Sequence, residues 1–120
     1  LSEKFQKNVD QTVRKLALAI DATVVLATPV DTGRARSNWQ VTLGSPATGT
    51  VSTQDPSGQS AIVQGQTAIN KYKGNTSIYI ANNLPYIQKL NEGHSAQAPA
   101  GFVRTAIQVG IDAIKNDKML

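Results

Sequence analysis

Apolar residues recur at spacings of four and three through the first part of the chain: Phe5, Val9, Val13, Leu16, Ile20, Val24 and Ala27. That period predicts a long amphipathic helix. Ser2 suits its N-cap, and Pro29 disfavours helix at Thr28. Lys7, Asp10, Arg14 and Asp21 read as its opposite, polar face. A helix of about 25 residues is about 37 Å long, more than so small a core needs. Part of the stripe is therefore expected to meet a neighbouring subunit, or else to lie across a sheet.

The period then changes. Asn38 to Leu43 alternates, with Trp39, Val41 and Leu43 on one face, and predicts a strand. Gly44 to Ser60 is rich in Gly, Ser, Thr, Pro and Asp and predicts a long exposed loop, expected to order against a neighbour. Ala61, Ile62, Ala68, Ile69 and Tyr72 predict a helix over about 57–72, weakened by Gly65. Residues 76–81 predict a second strand with Ile78 and Ile80 inward, broken by Asn82-Asn83-Leu84-Pro85. Residues 86–90 give one helical turn ending near Gly93. Val103, Ala106, Ile107, Gly110, Ile111 and Ile114 stripe a last helix. The expected fold is α+β: a long N-terminal and a C-terminal helix packed on a small, mainly antiparallel sheet, in one domain over 1–120. No internal repeat or linker interrupts it.

Composition narrows the chemistry. The 120 residues include no Cys and one His, which removes disulfides, thiolate catalysis and Cys-type or multi-His metal sites within one chain. The net charge is +4, with basic residues scattered among acids. That reads as a solvated surface, with a polyanion-binding face as the rival reading. The longest apolar stretch, Leu16 to Val30, is shorter than a membrane span and contains Asp21, so no membrane partner is expected. The N-terminus lacks the order of regions of a secretion signal. It starts at Leu1, not Met, so missing upstream residues are expected.

Two patterns bear on catalysis. Asp31-Thr32-Gly33 is the tripeptide that retroviral-type aspartic proteases carry once per subunit, where two carboxylates share a proton. Against it, those proteases are almost wholly β, and Pro29 and Arg34 flank the motif here. His94 lies in a polar Glu92-Gly93-His94-Ser95 stretch without the strand–Gly-x-Ser-x-Gly–helix elbow of a hydrolase. No phosphate-cradling glycine loop, zinc-finger spacing or RNP-like aromatic pair is present, so no cofactor is expected. The chain is read as a non-enzyme.

Two segments together resemble one family. The first is Ala27-Thr28-Pro29-Val30-Asp31-Thr32-Gly33-Arg34-Ala35-Arg36-Ser37-Asn38-Trp39. The second runs from Ser77-Ile78-Tyr79-Ile80-Ala81-Asn82-Asn83-Leu84-Pro85-Tyr86 through Leu90-Asn91-Glu92-Gly93-His94-Ser95-Ala96-Gln97-Ala98-Pro99-Ala100-Gly101-Phe102-Val103-Arg104. Both are similar to the neck and minor-tail proteins of long-tailed bacteriophages and prophages. Those carry Thr-Pro-Val-Asp-Thr-Gly-Arg-x-Arg-x-x-Trp, then Asn-Asn-x-Pro-Tyr and Leu-Glu-x-Gly-x-Ser-x-Gln-Ala-Pro-x-Gly-x-Val-Arg. Asn91 departs from the pattern, standing where the family has an acid, with Glu92 beside it.

The resemblance implies a virion structural protein assembled in the bacterial host cytoplasm. It implies a ring at the head–tail junction, a hexamer with twelve copies as the alternative. The ring's partners would be a head-closure or connector protein and a tail terminator or tail-tube protein, with genomic DNA passing through it. A DNA-binding module of virion assembly is the alternative. In this reading Asp31 caps the turn, at about 1 kcal/mol, and Gly33 permits its backbone. Arg34 and Arg36 project outward to pair with acids on a neighbour. Asp31, Arg34, Arg36, Glu92, His94 and Arg104 are the candidate interface residues. Trp39 anchors the first strand, Pro85 and Tyr86 fix the bend after the second, and Gly93, Pro99 and Gly101 shape the loop before the last helix.

Overall fold

A computed structural model describes residues 3–93 and 100–116. Its elements are α1 (Glu3–Ala27), α2 (Arg34–Ser37), β1 (Trp39–Leu43), α3 (Gln59–Ile69), β2 (Ile78–Asn82), α4 (Ile87–Asn91) and α5 (Phe102–Asn116). The fold is the expected α+β arrangement, with the sheet reduced to one antiparallel pair. Trp39 lies opposite Asn82, Val41 opposite Ile80, and Leu43 opposite Ile78.

Helix α1 is the spine. Helix α5 runs back along one side of it, with Gly110 against Ile20 and Ala19, and Ala106 and Val103 in the cluster that holds Val24, Val25, Ala27 and Trp39. Helix α3 and the sheet cover another side, where Ala17, Val41 and Ile69 form a second buried cluster with Ile78 and Ile80 packed on it. The core is aliphatic except for Trp39, Tyr72 and Phe102. Val9, near the free end of α1, stays exposed, as the surplus length of the helix predicts.

The face of α1 expected to be polar is partly buried. Asp10 and Asp21 are buried, at 8% and 2% exposure. With elements packed on two sides, α1 needs a buried surface wider than one stripe, and the two aspartates fall inside it. Gln6 Nε2 donates to Asp10 Oδ1 at 2.9 Å. Asp21 Oδ1 has no hydrogen-bond partner, and burial pushes its carboxyl up to about 7. This also explains Gly65, the apparent defect of α3. A methyl group there would run into Asp21 Oδ2, so the helix meets α1 only because residue 65 has no side chain.

A two-stranded sheet is marginal by itself, and here a side chain replaces the missing third strand. Val41 N–H donates to Gln64 Oε1 at 3.0 Å, and Gln64 Nε2 donates to Val41 O at 2.8 Å. The primary amide of Gln64 in α3 thus satisfies both backbone groups of Val41, midway along the outer edge of β1. The proposed Ser2 cap lies outside the described residues.

Candidate functional site

The two segments that carry the family resemblance are about forty residues apart in sequence, and they meet at one end of the molecule. Their junction is the Trp39–Asn82 pair that starts the sheet, reinforced by Asn82 Nδ2 donating to Ala35 O at 2.9 Å. Beneath it, Trp39 is buried, and its Nε1 donates to Thr28 Oγ1 at 2.8 Å. Thr28 passes the bond to Val24 O at 2.7 Å. Trp39 is therefore the anchor that its alternating strand predicts, and its polar edge is satisfied by the first residue of the motif.

Residues 44–58 form an irregular segment, as predicted, but the chain orders it without a neighbour. Asn38 is the main clamp: its Oδ1 accepts from Val51 N–H at 2.8 Å and its Nδ2 donates to Val51 O at 2.9 Å. Gln40 Nε2 donates to Gly49 O, and Asn83 Nδ2 donates to Ala47 O and Gly49 O. Ser37 Oγ accepts from Asp55 N–H at 3.0 Å. A long polar loop can be fixed internally when its carbonyls meet side-chain amides, and Asn38, Gln40 and Asn83 supply them. Asn38 and Asn83 were legible only as parts of a motif.

The two arginines also differ from expectation. Arg36 Nε, NH1 and NH2 donate to Thr28 O, Pro56 O and Leu26 O, each at 2.9 Å. Two of those carbonyls belong to the C-terminal end of α1, where backbone acceptors lack helical partners. The guanidinium is a C-cap for α1 and a tie to the loop, with three of its five N–H groups committed inside the chain. Arg34 Nε donates to Val51 O at 3.2 Å. We expect Arg36→Ala to destabilise the fold by about 1–2 kcal/mol, with Arg36→Lys recovering little because one ammonium cannot span three divergent carbonyls. Urea-denaturation midpoints measure both.

Asp31 is exposed and is not the cap. The residue that opens α2 is Gly33, which makes no side-chain cap bond, and the Thr32 hydroxyl accepts from Arg34 N–H at 3.3 Å instead. Gly33 matters more than its motif neighbours suggest. Its φ is +89°, and the backbone of Asp55 and Pro56 occupies the space a Cβ would need. Asp55 in turn opens α3. Its Oδ1 accepts from the hydroxyl and amide of Ser57 and its Oδ2 from the amide of Ser60, bonds that hold its carboxyl down at about 2.

In the second segment, Pro85 and Tyr86 are exposed at the turn into α4, over a buried Leu84. The backbone at Gly93 closes α4 with a bond to Leu90 O. Asn91, the departure from the resembled pattern, has a local structural role. Its Oδ1 accepts from Val103 N–H at 3.0 Å, and its backbone oxygen accepts from Gly101 N–H at 2.6 Å, so it caps α5. An acid there could accept the same bond. Glu92 and Arg104 are exposed; His94 and Pro99 lie outside the described residues.

No known protein family, curated protein or solved structure matches the chain. Among the described residues, no group of three His, Asp or Glu side chains gathers as a metal site requires. No described helix is long and apolar enough to cross a membrane. An open groove of about 350 Å³ lies between α1 and β2, lined chiefly by Val13, Leu16, Ile20, Tyr72, Ile78 and Ile80.

Proposed function

We propose that the chain is a non-catalytic structural subunit of a tailed-bacteriophage virion, forming a ring at the head–tail junction. The observation that carries this reading is the convergence of the two motif segments. The described residues of the two segments, 27–39, 77–93 and 100–104, hold several polar side chains that position backbone. Trp39, Thr28, Asn38, Arg36, Asn82 and Asn91 fix loop and helix ends among the described residues. A rigid corner of this kind suits a building block. The α+β fold also departs from the almost wholly β architecture of the proteases that share the Asp-Thr-Gly tripeptide.

Leu26 and Tyr86 are exposed apolar side chains, and Asp31, Glu92 and Arg104 are exposed charges; in this reading they supply the apolar and polar parts of the subunit interface. The neighbours in this reading are copies of the chain, a head-closure or connector protein, and a terminator or tube protein of the tail. A virus lacking the gene is expected to accumulate filled heads and finished tails that do not join, and chain supplied in trans should restore joining. Tailed, infectious particles from the deletion, or purified virions without the chain, would sink the proposal.

A further inference from the structure

The formal charge is not spread evenly once the chain is folded. Residues 1–20 hold Lys4, Lys7, Arg14 and Lys15 against Glu3 and Asp10, and residues 66–80 hold Lys71 and Lys73 with no acid. Six cations less two anions give +4, the whole net charge of the protein; the remaining residues hold six of each sign. The two segments are joined in space. Arg14 NH1 donates to Tyr72 O at 2.6 Å, and Gly74 packs against the Asp10 carboxylate. Asp10 is buried and bonded to Gln6, so it contributes little outward-facing negative charge. On the helical wheel, the four cations of α1 fall within an arc of about 100°, and residues 71–73 lie along one border of it. The face extends about 16 Å along the helix axis. It is remote from the motif corner, which lies around the other end of α1.

We propose that this end of the molecule binds the phosphate backbone of duplex DNA without reading sequence. Five of the six cations are lysines, and Lys4, Lys7, Lys71 and Lys73 are exposed. Lysine is depleted in protein–protein interfaces, whereas mobile ammonium groups neutralise phosphates without fixed geometry. No aromatic side chain interleaves the cations on that arc, as base stacking would require, so the contact is electrostatic and positioning in kind. The inference does not depend on the ring reading; a free subunit with this surface satisfies it.

The test is fluorescence anisotropy of the full chain with a mixed-sequence 20-base-pair duplex across a salt series. Binding should weaken steeply with salt, log K falling by about 0.9 per tenfold salt increase for each phosphate neutralised. Lys71→Ala/Lys73→Ala should bind about tenfold more weakly at low salt and lose nearly two units of that slope. Lys89→Ala/Lys115→Ala, which removes the same charge elsewhere, should stay within about twofold of the unaltered chain. Circular dichroism checks that both variants fold. Equal losses in the two variants, no binding at low salt, or tighter binding to a polyglutamate peptide than to DNA would each overturn the assignment.

Discussion

Replacing Asp21 by Asn is expected to stabilise the protein increasingly as pH rises, with the gain growing by about 3 kcal/mol between pH 4.5 and pH 8. The reason is a buried carboxyl without compensation. Asp21 is packed against Gly65 of α3, with Val41 of β1 beside them; neither residue carries a charge, and its Oδ1 is unpartnered. Burial raises its pKa from 3.8 to about 7. Below about pH 3.8 the carboxyl is neutral folded or unfolded, and the fold keeps its full stability. Between 3.8 and 7 the unfolded chain ionises while the folded chain holds its proton, so stability is lost as pH rises. Asn does not titrate and escapes that loss. Asp55 has the opposite sign: its contribution is present above 3.8 and lost as pH falls toward 2, outside this window. Urea unfolding followed by the fluorescence of Trp39, the one tryptophan, measures the difference. A gain that is flat with pH would show that Asp21 is not held protonated by burial.

Gly33→Ala is expected to cost about 2–5 kcal/mol, more than the roughly 1 kcal/mol of a side-chain cap. Two terms add. A non-glycine residue at φ +89° is strained by roughly 1–2 kcal/mol. Its Cβ also collides with the backbone of Asp55 and Pro56, and overpacking of this kind costs about 1–3 kcal/mol. Asn tolerates positive φ better than Ala but brings the same Cβ, so Gly33→Asn separates the terms. If the collision dominates, Asn and Ala destabilise alike, and the amides of Val51 and Asp55 lose protection from hydrogen exchange together. A Gly33→Asn protein as stable as the original would mean that the 55–56 segment is not held against residue 33. Asp31→Ala, by contrast, should leave the denaturation midpoint nearly unchanged, because its carboxylate caps no helix.

The order of elements, their type and most of their inward faces were legible in the sequence, because a period of 3.6 or 2 records which side of a segment avoids water. Val41, Trp39, Ile69, Ala106 and the sheet partners Ile78 and Ile80 all follow from it. Local rules were weaker where two distant segments compete for one group. Asp31 had the composition of a cap, yet the loop at 55–56 presses on Gly33 and the turn forms without it. Arg36 looked like a free surface cation until the end of α1 and the loop both offered it carbonyls. Tertiary structure alone decided that Asp10 and Asp21 are buried, that Gln64 completes the edge of β1, and that Lys71 and Lys73 join the lysines of α1. The physical reason is common to all of these. Hydrophobic periodicity is a property of one segment, whereas hydrogen bonds, charge clusters and buried acids depend on which segments, many residues apart, come to share the same few ångströms.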